Sequence, residues 1–200
     1  QLRNVLGKRT GHHSPPFDPR DKTAEAAESA KDNDNVITLP GVGKTEDPYK
    51  AIDAIANPRT KINRGLRAIK DAAPIFDPNE FLKGAGMAYE MIVMAFADGD
   101  RKTLKNLLAK DVFDGFSSAL DERASSGEVV QTNFVGIENI KIKAAELRDH
   151  DAHVTVTVVS QLISATRDKA GEVIEGDPES VVEVSDVWTF ARDVRQKDPN

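Results

Sequence analysis

The sequence predicts an α+β fold in which N-terminal helices pack on one face of a curved antiparallel sheet, behind a disordered leader. Three observations carry that expectation. Residues 1–48 show no sustained hydrophobic period, apolar residues recur at helical spacing from residue 49 to about residue 126, and beyond Gly127 the period switches to two. Helices first and strands afterwards is the order of an α+β domain, not of an alternating one.

In the leader, Pro15, Pro16 and Pro19, the polar run Lys31-Asp32-Asn33-Asp34-Asn35 and the Pro40-Gly41 turn mark residues 1–48 as an unpacked, disordered linker, expected to be basic. Such a stretch buries too little apolar surface to offset an ordering cost of about 1–2 kcal/mol per residue. Ile52 and Ile55 then stripe a short helix that Pro58 must end. Ile62, Leu66, Ile69 and Ala73 follow at helical spacing, with Lys61, Arg64, Arg67 and Lys70 beside them. Residues 49–75 therefore read as short basic amphipathic helices, interrupted at Gly65, ahead of a domain over residues 76–200.

That domain opens on Asp77-Pro78-Asn79-Glu80, which offers an N-cap, proline at the first helical position and a capping-box glutamate. Phe81, Leu82, Ala85, Ala88, Tyr89, Ile92, Val93 and Phe96 form its broad apolar stripe, and Gly99 supplies the C-terminal stop. Asp100 caps a short helix bearing Leu104, Leu107 and Leu108, and Val112, Phe113, Phe116 and Leu120 stripe a third that stops near Gly127. Residues 128–135 read as an edge strand and 137–148 as a second, imperfectly alternating one. Val154, Val156, Val158 and Leu162 share one face of a clearer strand, His153 to Ser164. Turn residues over 168–178 predict a hairpin loop, and Val182, Val184, Trp188 and Phe190 line one face of the last strand.

Composition narrows the function. Residues 1–75 carry 13 Lys/Arg against 10 Asp/Glu, and residues 76–200 carry 14 against 23. An acidic domain behind a mildly basic arm is the wrong balance for nucleic acid, which needs clustered cations. The absence of cysteine excludes disulfides and thiolate metal sites. The longest apolar run, Met91 to Ala97, falls far short of the ~20 residues that span a bilayer. Because the chain begins at Gln1 rather than Met, it reads as a fragment or processed product.

Four candidate sites stand out. Pro40-Gly-Val-Gly-Lys-Thr45 resembles the end of a phosphate-binding loop, but Thr38 occupies the position of the required first glycine, and Asp47-Pro48 interrupts the helix that should follow; it reads as a flexible turn. His12-His13 and His150/His153 lack a third convergent donor, so no metal is expected. Asp186 shares the apolar face of its strand with Val184, Trp188 and Phe190. A buried carboxylate must be paired, hydrogen-bonded or protonated. Two readings stand: an acid/base group in a pocket near Trp188, or a structural ion pair with Arg123 on the third helix. The helix carrying Lys61, Arg64, Arg67 and Lys70 is either an interfacial membrane helix, each cation adding ~1 kcal/mol at an anionic surface, or a solvated helix packed on the domain.

Beyond these readings, the blocks Gly65-Leu66, Ile69, Phe76-Asp77, Phe81-Leu82, Gly84-Ala85, Ile92-Val93, Gly99-Asp100, Leu104 and Leu107-Leu108 resemble, in order, the opening of the Tim44-like domain. Phe134-Val135-Gly136-Ile137, Val158 to Ser164 and Asp186-Val187-Trp188-Thr189-Phe190 resemble its strands, in the bacterial branch of the family. The resemblance, over about residues 64–198, implies a cystatin-like or nuclear-transport-factor-two-like cone. It further implies a non-enzymatic adaptor without cofactor, binding anionic lipid and a protein partner such as a chaperone or membrane complex. Leu2 to Gly7 resembles the segment behind an upstream membrane anchor, with Arg3, Lys8 and Arg9 as a positive flank that places the domain on the cytoplasmic face of an inner membrane. Family members continue past Asn200 into a further strand, so a sheet short of its last strand is expected. The alternative is a small-molecule or catalytic pocket inside the cone.

Overall fold

The computed structural model describes residues 46–196. The leader features named above, from the histidine pair to the Pro40–Thr45 turn, lie outside that range. Among these residues five helices come first: α1 (Lys50–Ile55), α2 (Lys61–Ala72), α3 (Pro78–Asp98), α4 (Arg101–Leu107) and α5 (Lys110–Ser126). Three strands follow, β1 (Val129–Arg148), β2 (Asp151–Arg167) and β3 (Val173–Asp193), paired antiparallel in the order β1-β2-β3.

Helix boundaries follow local chemistry. Thr60 Oγ1 accepts from Asn63 N at 3.2 Å to start α2. Asp77 Oδ1 accepts from Asn79 N at 2.8 Å and Glu80 N at 3.0 Å, with Pro78 as the first helical residue of α3. Asp100 does the same for α4 through Thr103 N at 3.1 Å. α3 and α5 end on Gly99 and Gly127 at φ 73° and 68°, where an L side chain is strained.

Gly65 does not interrupt α2, contrary to the expectation. A Cβ there would lie 1.9 Å from the Ala145 carbonyl oxygen, so the glycine lets the helix lie directly on β1. The strands expected at 128–135 and 137–148 are one strand. Its register on β2 slips between Phe134 and Gly136, Ile137 and Asn139, and Ile142 and Ala144, and each bulge breaks the alternation that sequence reading depends on. The hairpin loop is also shorter than expected. Pairing resumes at Val173 opposite Arg167, and the irregular stretch moves into the strand, between the pairs Ser164–Asp177 and Leu162–Val182.

Val156 and Val158 on β2 are fully buried, as are Leu66 on α2 and Tyr89 on α3. With Ile52 and Ile69 they belong to one cluster, so the core runs across the boundary drawn at residue 76. A smaller cluster of Ile92, Ala95, Leu104 and Leu120 joins α3, α4 and α5. Trp188 packs against both clusters. Each fully buried aliphatic side chain contributes about 1.5–3 kcal/mol relative to exposure, so removing α1 and α2 would cost the sheet a cover that the shorter domain does not replace.

Candidate functional site

Asp186 lies at the centre of the polar interior. It sits on the helix-facing side of β3 with Val184, Trp188 and Phe190, all half-buried while their neighbours are exposed. Its partner is Tyr89, whose hydroxyl donates to Asp186 Oδ2 at 2.7 Å and lies 2.9 Å from Ser160 Oγ on β2. Tyr89 and Ser160 are both fully buried. The Tyr89 ring packs edge-on against Trp188, with centroids 4.9 Å apart. Burial pushes the Tyr89 hydroxyl up to about 12; Asp186 adds to the rise and the Ser160 bond opposes it. A hydroxyl held protonated in this way is a hydrogen-bond donor, not a base, at neutral pH. The three groups satisfy one another and tie α3 to β2 and β3.

Arg123 is not the partner of Asp186, which corrects the expected ion pair. Its Nη2 donates to the carbonyls of Phe96 at 2.9 Å and Ala97 at 3.1 Å, and the guanidinium stands 5.4 Å from the centroid of the Phe96 ring. It therefore caps the C-terminal end of α3, where orphan carbonyls and the negative end of the helix dipole attract a cation. Its Nη2 is thereby committed to the end of α3 and not to Asp186.

The four basic residues of α2 divide into two pairs. Arg67 Nη2 contacts both Asp53 oxygens, at 2.7 and 2.8 Å, and stacks 4.3 Å from the centroid of the Tyr49 ring. Asn63, fully buried, donates to the same Asp53 and to the Ala56 carbonyl, both at 2.8 Å. The Arg67 bond, then the Asn63 bond, hold the Asp53 carboxyl below its ordinary range. Lys70 Nζ donates to the Pro74 and Phe76 carbonyls at 2.6 and 2.8 Å, closing the α2–α3 turn. Lys61 and Arg64 remain on the exposed side. The positive excess also sits here, which corrects the expected basic character of residues 1–48. Residues 49–75 carry six Lys/Arg against two Asp/Glu, whereas residues 1–48 carry seven against eight and are not basic.

A cavity of about 1050 Å³ lies between the end of α2, the first half of α3 and the last residues of β3; sequence reasoning allowed a pocket between helices and sheet but not these walls. Ile69, Pro74, Phe76, Phe81, Ala88 and Phe190 supply much of its wall, and Asp186 is not part of it. No periodicity could announce it, because its walls come from segments about 120 residues apart. Among the described residues no group of His, Asp or Glu could hold a metal ion. His153 Nδ1 lies 3.2 Å from the Asp151 carbonyl.

These features define a helix-on-sheet domain whose interior polar groups serve its own packing and whose basic knuckle is half exposed. Residues 62–200 match the family model described as the Tim44-like domain, and the chain belongs to that family. The human mitochondrial import inner membrane translocase subunit TIM44 is 23% identical over 142 residues, covering 70% of this chain and 31% of that protein. Its counterpart in Rattus norvegicus is 21% identical over 169 residues, 84% of this chain and 37% of the relative. The Caenorhabditis elegans probable mitochondrial import inner membrane translocase subunit tin-44 is 19% identical over 170 residues, 84% and 39% of the two chains. The chain thus spans about a third of the length of the relatives it matches. Among solved structures, the intermembrane space region of the chloroplast protein ARC6 is 16% identical with a TM-score of 0.31, covering 63% of this chain and 80% of that one.

Proposed function

We propose that this chain is a non-catalytic adaptor that holds a protein partner, a chaperone or membrane complex, close to an anionic membrane surface. One observation carries the reading. Tyr89, Asp186 and Ser160 satisfy one another inside the domain, while Met87 and Val112 stay 64% and 44% exposed on α3 and α5. Chemistry needs unsatisfied polar groups facing a cavity, whereas docking needs apolar groups facing out. The names of the relatives, subunits of an inner membrane translocase, support the same setting. No helix among the described residues is long and apolar enough to cross a membrane. In this reading lipid contact falls to Lys61 and Arg64, with Arg67 and Lys70 held inward. An inner membrane and its cytoplasmic face are proposed from the resemblance of residues 2–9 to the flank of an upstream anchor.

The test is co-sedimentation of residues 1–200 with cardiolipin-containing and with neutral vesicles at low and high salt. The reading expects binding only to the anionic vesicles, weakened by salt and by the Lys61→Ala/Arg64→Ala double variant. Equal binding by variant and parent removes α2 from the membrane contact. The apolar cavity favours a second reading, a pocket for a ligand with an apolar body. Saturable uptake of a fluorescent acyl probe, blocked by Ala88→Phe, would support it.

A further inference from the structure

The far end of the β2–β3 hairpin is packed differently from the rest of the sheet. Over residues 152–160, β2 alternates buried and half-buried positions, as a strand covered on one face must. By contrast, every residue over 169–183, through the turn and the first half of β3, is exposed. The helices therefore cover neither face of this arm. Val173, Ile174, Val181 and Val182 are nevertheless 40%, 53%, 53% and 42% exposed there. Successive side chains of a strand point to opposite faces, so Val173 and Ile174 place aliphatic surface on both. Four such residues on one uncovered arm form a patch, unlike single apolar residues scattered over a surface.

The same arm is acidic. Residues 170–191 contain six Asp/Glu and no Lys/Arg. Asp186 turns inward to Tyr89, and the other five, Glu172, Glu175, Asp177, Glu179 and Glu183, stand on the exposed arm. The two cations of the turn are directed elsewhere. Arg167 donates to Gln131 Oε1 at 3.3 Å and to the Gly171 carbonyl at 3.0 Å. Lys169 folds over Gly127 at the end of α5. Edge strands are often guarded by charge, most often lysine, but guarding does not call for four exposed aliphatic side chains.

Charge decides what can cover the patch. An array of carboxylates repels nucleic acid and anionic lipid alike. Among the described residues no group of His, Asp and Glu could hold a metal ion. The arm pairs with β2 from Arg167 to Leu162, roughly 17 Å of strand, so its complement is a row of cations and not a point charge. We propose that this arm, residues 172–183, is where the domain holds its protein partner, through a Lys/Arg-rich segment with interleaved aliphatic side chains. The inference rests on the adaptor reading and names the chemistry of its partner. It also separates the two contacts. Gly65 of α2 lies on Ala145, which pairs with Val154, whereas Gly176 of the arm pairs with Ala165. Roughly 35 Å of β2 lies between those points, so α2 can meet a membrane while the arm holds a partner.

The experiment is fluorescence anisotropy of the full chain with a labelled twelve-residue peptide that alternates lysine and valine. A lysine–serine peptide of equal charge is the control. The parent should bind the first in the micromolar range at low salt, at least about fivefold more tightly than the second, and more weakly as salt rises. The quadruple variant Glu172→Gln/Glu175→Gln/Glu179→Gln/Glu183→Gln should lose roughly tenfold or more. Removing four exposed charges from the helices instead, with Glu90→Gln/Asp98→Asn/Asp111→Asn/Glu122→Gln, should cost less than about threefold. All changes are at exposed positions, and unchanged circular dichroism confirms the fold. Equal loss from the two sets would assign binding to net charge and overturn the proposal. So would equal binding of the two peptides, or no binding by the parent. The arm variant should still co-sediment with cardiolipin-containing vesicles as the parent does. A parent that binds the peptide but no vesicle counts against the membrane half of the adaptor reading and leaves the arm standing.

Discussion

Tyr89 on α3 and Asp186 on β3, 97 positions apart in the chain, meet through a 2.7 Å hydrogen bond that also brings in Ser160 at 2.9 Å. The bond sets the position of the long helix on the sheet. An apolar stripe alone would tolerate a slide along the strands; a buried hydroxyl needs one particular place. Tyr89→Phe keeps the ring and its Trp188 contact but leaves the buried Ser160 hydroxyl short of a partner. We expect a loss of about 1–3 kcal/mol in urea unfolding. Asp186→Asn retains an acceptor for Tyr89 and should lose less. A larger loss from Asn than from Phe would mean that the carboxylate charge, not the hydroxyl, holds the contact.

The same contact has an alkaline signature. The folded-state pKa of Tyr89 is raised from 10.0 to about 12, so the folded chain keeps a proton that the unfolded chain releases. The associated stability is fully present below pH 10 and declines as pH rises from 10 towards 12. It amounts to about 3 kcal/mol for two units at 1.36 kcal/mol per pKa unit. Unfolding free energies measured across that window should fall more steeply for the parent than for Tyr89→Phe. Parallel slopes would show that the hydroxyl titrates as freely folded as unfolded.

Much of this fold was legible because it is local. The Asp77 cap, Pro78 and Gly99 delimit α3 by chemistry contained within a few residues, and the alternation of Val154, Val156 and Val158 marks the buried face of β2 without reference to anything else. The face of Asp186 was legible for the same reason. Its partner was not, since alternation says which side of a sheet a residue takes but not which helix turn lies opposite. Arg123 was the wrong choice because the α3 carbonyls it caps leave no mark in a side-chain pattern. Tyr89 was read as core from its ring; a buried phenol also needs a partner for its hydroxyl, and that was the available signal. β1 was divided in two because each bulge shifts the inward parity by one residue.

Gly65 and Gly115 offer a paired test of close approach. Gly65→Ala would set a Cβ 1.9 Å from the Ala145 oxygen, which is backbone and cannot step aside, so α2 must lift from β1. The expected loss is at least about 2 kcal/mol, in the range of overpacking. At Gly115 in α5 nothing lies within 4 Å, and alanine there should stabilise by about 0.5–1 kcal/mol through helix propensity. Thermal unfolding of the two variants should therefore move in opposite directions. A Gly65→Ala protein as stable as the parent would contradict the contact.

The basic residues of α2 should separate by assay. Arg67→Ala breaks the contact with Asp53 and the stacking on Tyr49, which together fasten α1 to α2. Its melting temperature should fall. Arg64→Ala, whose side chain reaches only the Arg59 carbonyl at 3.1 Å, should melt close to the parent and lose affinity for anionic vesicles instead. The Arg67 effect should fade in acid. Asp53 has a lowered folded-state pKa, so its stabilisation is present above its unfolded value of 3.8 and disappears as pH falls through the folded one. An Arg64→Ala protein that melts early would assign that residue to packing rather than to a surface role.

Arg123 and Asp186 can be tested for independence. Arg123→Gln removes the charge that caps the α3 carbonyls of Phe96 and Ala97, and we expect it to cost about 1–2 kcal/mol. Asp186→Asn perturbs a different network, centred on Tyr89 and Ser160. If the two residues act apart, the double variant should lose the sum of the single losses within about 0.5 kcal/mol. An ion pair between them would instead produce a clear coupling, because the second substitution would find its partner already gone. The cycle therefore distinguishes a helix cap from a buried salt bridge without reference to either residue's absolute contribution. It also decides whether the carboxylate on β3 belongs to α3 or to α5.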